Sequence, residues 1–194
     1  MIDDTSGVEV HWNYLLAIEN DLVRLSRYVE FEKRNFACFS IEIARILLTA
    51  SAEADVVCKQ LCLKSDESSS ADNIHMYRDQ IKAAYPNICD FEVILSRYGI
   101  TAKPWAKWIE DEGVPDWWTA YNKVKHHRQS EYHRANLKNA IDSVAGLFVM
   151  TLYFYKKKAN SGQLFPIPQI LRVDDAYFGG VYHGGKDFSY AYKI

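Results

Sequence analysis

The segment from Ile41 to about Leu63 constrains the fold more than any other part of the chain. Its apolar residues, Ile41, Ile43, Ile46, Leu47, Leu48, Val56, Val57 and Leu61, fall on almost every side of a helix rather than on one stripe. A helix of that kind needs neighbours all round, so it is expected at the centre of a bundle. The polar exceptions Glu42, Arg45, Thr49 and Glu53 share a single stripe. Charges near a bundle core are costly unless paired. Two readings follow. The stripe is a polar seam in which Glu42 and Arg45 bond to each other or to a neighbour, or it faces a His-bearing helix later in the chain and orients its side chains.

Other helices assemble around this one. Val10, Tyr14, Leu15, Ile18, Leu22, Leu25 and Val29 recur at three and four, predicting a first helix of about six turns from near Val8. Glu19, Asn20, Asp21, Arg24 and Arg27 are placed on its solvent side. Ser40 is positioned to cap the second helix. A Ser-rich loop from Lys64 to Asn73 precedes a shorter helix, Ile74 to about Tyr85, that stops before Pro86. Phe91 to Leu95 reads as a short strand or a helical turn, and Gly99 to Pro104 as a loop leading into a short helix with Trp105 and Trp108. A further long helix, capped by Ser130, is expected from there to Lys156, Lys157 and Lys158, whose charge suits a helix C-terminus. The fold class is mainly α: a helical bundle over residues 1–160, with 161–194 forming a small C-terminal β-hairpin or meander packed on the same domain. Asp174-Asp175, Gly179-Gly180 and Gly184-Gly185 supply the turns.

Composition excludes several classes. With 194 residues, 48% apolar and 25% charged, the chain suits one soluble domain. The opening MIDDTSG has neither a basic nor an apolar region, and the apolar run Val144 to Tyr155 falls well short of the ~20 residues of a membrane span. No signal peptide, no membrane association and a cytoplasmic location are expected. Cys38, Cys58, Cys62 and Cys89 include no CxxC pair, and Cys58 and Cys62 read as small buried hydrophobes. No phosphate-binding glycine loop, dinucleotide fingerprint, zinc-protease motif or nucleophile elbow is present, so no cofactor and no metal are expected.

Chemistry is concentrated in Trp117 to Arg128, WWTAYNKVKHHR. At helical spacing Trp118, Asn122 and His126 form one column, with Lys125 alongside, while Thr119, Lys123 and His127 form the next. Histidine exchanges protons near neutrality, and nearby cations hold phosphate and stabilise charge developing on its oxygens. Lys123, Lys125, Arg128, Arg134 and Lys138 face a single acid, Glu131, within that stretch: a local basic patch in a chain of net charge −2. The alternative is a solvated basic turn without function. Metal binding by His126 and His127 is disfavoured because adjacent helix positions point apart, and His133 does not repair this.

In the hexapeptide YNKVKH, Tyr121 to His126, the chain resembles the HEPN superfamily, helical bundles of prokaryotic toxins, defence proteins and RNA-processing factors. The family signature is Arg, a polar residue, a short spacer and His. Asn122 and His126 match it, whereas Tyr121 stands where catalytically active members carry Arg. The resemblance implies RNA binding or metal-independent ribonuclease activity in a defence or toxin-type system, with a homodimer as the working unit. Carried across, His126 is the acid or base, Asn122 positions the phosphate or orients the imidazole, and Lys125, Lys123 and Arg128 are the candidate stand-ins for the missing Arg, though a lysine is not a two-pronged fork. Lys123, Arg128, Arg134 and Lys138 would contact nucleic acid, with Glu42, Arg45, Glu53 and Trp118 supporting them. The rival reading is a non-catalytic interaction module, joined to a protein partner or a second copy through Trp105, Trp108, Trp117 and the Tyr-rich tail.

Overall fold

A computed structural model describes residues 7–184 and 187–194. The start of the acidic opening, through Ser6, and Gly185 of the Gly184-Gly185 turn signal lie outside the described residues. Along the chain run α1 (Val10–Leu25), α2 (Ile41–Ser65), α3 (Ile74–Ala84), β1 (Val93–Leu95), β2 (Ile100–Ala102), α4 (Asp116–Glu131), α5 (Leu137–Phe154), α6 (Lys156–Asn160), β3 (Arg172–Val173), β4 (Phe178–Gly184) and β5 (Asp187–Tyr192). The protein is mainly α, and no described helix is long and apolar enough to cross a membrane.

Local chemistry sets the helix starts. Ser40 Oγ accepts from the Ile43 amide at 3.2 Å, as its position in the sequence predicts. Asn73 Oδ1 accepts from the His75 and Met76 amides and opens α3. α5 begins later than expected: Asn136, not Ser130, caps it by accepting from Asn139 at 3.1 Å. Ser130 lies in the last turn of α4 and donates its hydroxyl to the His127 carbonyl.

The helix enclosed on nearly every side is α5, not α2. Every α5 residue from Ser143 to Tyr153 is buried, and α5 packs along α2 as the main helix pair of the core. α2 instead leaves a strip in solvent, with Ile41 70%, Val56 43% and Leu63 39% exposed. Against the middle of α5, Trp105 and Trp117 meet edge to face at 5.1 Å, with Trp108 4.2 Å from Trp105. Gly146 makes room for them, because a Cβ there would sit 2.8 Å from Trp117 Cζ2. Two of the three ring N–H groups find carbonyls, Trp117 donating to Pro104 at 2.9 Å and Trp105 to Gly146 at 3.2 Å, while that of Trp108 is buried without an acceptor. This corrects the sequence reading of Trp105, Trp108 and Trp117 as a partner surface. All three are core, at most 1% exposed.

The strands form two antiparallel sheets. β1 lies between β2 and β3, with Val93 opposite both Ala102 and Val173, so the segment expected as a loop after Gly99 is partly strand. β4 and β5 form the predicted hairpin, with Val181 opposite Tyr190 and Tyr182 opposite Ser189. The hairpin docks where Ser189 donates to the Gly162 carbonyl at 2.5 Å.

The C-terminal segment is held to the bundle by a buried charge. Glu19, placed on the solvent side of α1 by the sequence pattern, is 1% exposed. Its carboxylate accepts from three consecutive amides, Gln169 and Ile170 at 2.8 Å and Leu171 at 3.0 Å. The inward face of α1 is correspondingly rotated from the expected one: His11, Trp12, Leu15, Ile18, Glu19, Leu22 and Leu25 are buried, while Val10 and Tyr14 are exposed. Trp12 adds a further tie to the same segment, donating to the Pro166 carbonyl at 2.9 Å. Glu19→Ala removes the acceptor for three amides, two of them in buried bonds, each orphaned group costing about 1–3 kcal/mol. We expect a loss of at least about 3 kcal/mol in urea unfolding. A loss below about 1 kcal/mol would show that water replaces the carboxylate.

Candidate nucleic-acid interface

α4 divides into an inward and an outward face. Trp117, Trp118, Ala120, Tyr121 and Val124 are buried, whereas Thr119, Asn122, Lys123, Lys125, His126, His127 and Arg128 are exposed. The helix is kinked at His127, whose backbone (φ −134°, ψ 41°) leaves the helical range before the helix resumes. The Ser130 hydroxyl meets the His127 carbonyl just past the kink, the kind of side-chain insertion that accompanies a break in the ladder.

The kink alters the expected separation of the two imidazoles. His126 and His127 both line a shallow depression of ≈ 380 Å³ between α4 and the start of α3. Their ring centroids are 6.4 Å apart. Thr119, Asn122 and Lys123 complete the polar side, and Ile74, Val114 and Trp118 supply an apolar floor. His75 joins from α3, its Nδ1 3.0 Å from Glu112 Oε2. The surface therefore combines proton carriers, a cation and amide and hydroxyl groups around an apolar patch, a set that suits a phosphate with an attached flat ring.

Trp118, Asn122 and His126 come together as their column spacing suggests, and Thr119, Lys123 and His127 of the neighbouring column line the same depression. Trp118 forms floor rather than rim, 5% exposed, and its carbonyl accepts from the Asn122 amide at 3.3 Å. Lys125 does not join them. Its ammonium lies 5.3 Å from the Tyr121 ring centre and 3.5 Å from the Tyr121 hydroxyl, on another side of the helix. Arg128 lines a different depression, shared with Arg45 of α2. Arg134 is ion-paired with Glu131, and Lys138 with Asp142. Arg134 is the main reason the Glu131 carboxyl is held below its usual range, with Lys123 contributing. Burial pushes the Asp142 carboxyl up despite Lys138.

The supporting role read for the α2 stripe is also corrected. Glu42 and Arg45 pair with each other in solvent, matching the seam reading, and neither lines the depression that holds His126. Glu53 does not line that depression either but meets α1, its Oε1 2.5 Å from His11 Nδ1. Gln60 Oε1 accepts from the other ring nitrogen at 2.9 Å, and Phe154 packs edge-on against the imidazole at 5.2 Å. Two acceptors on one imidazole favour the doubly protonated ring. The bond to Glu53 accordingly raises the His11 pKa above its ordinary 6.5, against the opposing effect of burial. Sequence reasoning missed His11 and His75. The signal for His11 was its place beside Trp12 on the buried face of α1; His75 carries none, since only the tertiary path of α3 brings it to α4.

Cys58, Cys62 and Cys89 behave as small hydrophobes, whereas Cys38 is exposed. Cys58 and Cys62 are buried thiols, and burial pushes Cys62 up to about 11. Among the described residues, no group of three or more His, Cys, Asp or Glu side chains is placed to hold a metal ion. Comparison with known proteins returned no matching family model, no matching curated protein and no matching solved structure.

The His11 cluster makes stability depend on pH in a defined direction. The folded pKa lies above the unfolded one, so the contribution is fully present below about pH 6.5 and is lost as pH rises through the folded pKa. We expect the urea-unfolding difference between wild type and His11→Asn to shrink steadily from about pH 6 to about pH 9. A difference constant over that range would mean that His11 is neutral in the folded protein.

Proposed function

We propose that the chain binds single-stranded RNA at the α4 depression and cleaves it without a metal, using His126 and His127 as the proton-carrying pair. The observation that carries this reading is the kink at His127, which sets two exposed imidazoles at the edge of one depression beside Lys123 and Asn122. In cleavage of that kind, one imidazole takes the proton of a ribose 2′-hydroxyl as its oxygen bonds to phosphorus. The other gives a proton to the 5′ oxygen as its bond to phosphorus breaks. Lys123 would neutralise charge on the non-bridging oxygens, and Asn122 would orient the phosphate. The resemblance of YNKVKH to HEPN proteins supports the same substrate class and a defence or toxin-type setting. Tyr121, at the position of the family's Arg, is 7% exposed under Lys125, so Lys123 is the cation nearest in role. A lysine gives a point charge rather than a two-pronged fork, which favours slow turnover.

Two measurements separate binding from cleavage. Wild-type protein should bind a labelled single-stranded RNA with an affinity that falls as salt rises, and Lys123→Ala should lower the log–log salt slope by about 0.7. His126→Ala and His127→Ala should each abolish RNA cleavage while leaving the circular dichroism spectrum unchanged. Equal cleavage by wild type and both variants removes the histidines from the mechanism; absence of salt-dependent binding removes the RNA reading altogether.

A further inference from the structure

The exposed strip of α2 has a symmetry that nothing within one chain requires. It consists of Ile41, Arg45, Leu48, Ala52, Val56, Lys59 and Leu63, repeating at three and four along a 25-residue helix. Ile41, Val56 and Leu63 are 70%, 43% and 39% exposed, Ala52 is exposed and Leu48 half-buried. Positions match in pairs about Ala52. Leu48 and Val56 lie four residues either side of it, Arg45 and Lys59 seven, and Ile41 and Leu63 eleven. An antiparallel contact with an identical helix would therefore oppose apolar to apolar at every apolar position, with the smallest side chain at the crossing.

We propose that the protein self-associates through α2, as a twofold antiparallel pair centred on Ala52. Arg45 would face the like-charged Lys59 of the second copy, and Glu42, paired with Arg45 and within a turn of the same lysine, offsets that repulsion. Lys59 makes no ion pair among the described residues, so it is available to Glu42 of the second copy. Shape agrees at the ends of the strip. Beside Ile41 and Leu48 lies a largely apolar depression of ≈ 470 Å³, reaching Ala44 and Tyr132, with Arg45 and Arg128 at its rim. The twofold brings Leu63 of the second copy over this depression and, reciprocally, Leu63 over the other. A strip about 33 Å long and one helix wide falls short of the roughly 800 Å² per partner of a standard stable interface. The pair should form and separate with concentration rather than persist at high dilution. The contact is independent of the RNA reading, because the depression holding His126 lies against α3 and away from the strip.

Sedimentation of the full chain from about 1 µM to about 500 µM tests this. The mass should climb from 22.4 kDa towards twice that value. Ala52→Glu, which sets like charges together on the axis at an exposed position, should weaken association at least about tenfold without altering the circular dichroism spectrum. In a Cys38→Ser background, Ala52→Cys should give a disulfide-linked dimer on oxidation, because the axis brings the two positions together. Lys59→Cys, seven residues off the axis, should not. A mass of one chain at every concentration, undiminished association of Ala52→Glu, or equal cross-linking at positions 52 and 59 would each overturn the proposal.

Discussion

The carboxylate of Glu19 holds the two ends of the chain together. A charge taken fully out of water needs partners that saturate it, and three successive amides of Gln169, Ile170 and Leu171 do so. Those amides belong to a segment with no helix or sheet ladder to satisfy them. Each side thus solves the other's problem. With the segment fixed, Ile170 and Leu171 enter the core and β3 reaches the edge of β1. Only then does a two-residue strand have a register. The β-hairpin follows from the same anchor, because β4 and β5 are too short to stand alone.

A second buried polar contact ties α1 to α2. His11 lies between Glu53 and Gln60, which are seven residues apart on one face of α2. Sliding α1 by a single turn would leave both acceptors without the ring, so the contact fixes helix register more sharply than Leu-against-Leu packing does. Glu19 and His11 lie on the same buried face, eight residues apart, and α1 is gripped by the C-terminal segment at one and by α2 at the other. The apolar residues between them, Trp12, Leu15 and Ile18, fill space whose geometry the polar groups have set.

The long elements were legible because their signals are local: Ser40 at the start of α2 and Pro86 after α3. The Gly179-Gly180 pair, expected as a turn, lies instead within β4 at a bulge. What stayed hidden was non-local or exceptional. The face of α1 was misassigned because Val10 and Tyr14 share its period while Trp12 lies one position away, and a residue count cannot say which ring is inside. Glu19 looked like a solvent charge because its partners are about 150 residues away. The kink at His127 has neither proline nor glycine to announce it. Of the candidate site, the column Trp118, Asn122 and His126 could be read from spacing. Its second imidazole depended on the kink, and His75 on the path of α3.

The fate of the basic residues shows why sequence charge overstates a binding surface. Arg134 and Lys138 are held by Glu131 and Asp142, and Lys125 lies over the Tyr121 ring. Lys123 and Arg128 make no ion pair among the described residues, but they line different depressions. A polyanion lying across α4 would thus meet one strong cation at the His-bearing depression, and a second only by passing the kink. Under the proposed RNA reading, few phosphate contacts would give modest affinity with a shallow salt dependence, in keeping with a chain of net charge −2. On the proposed RNA reading, discrimination would come less from charge than from the apolar floor of Ile74, Val114 and Trp118, which an unstacked base could cover and a paired one could not.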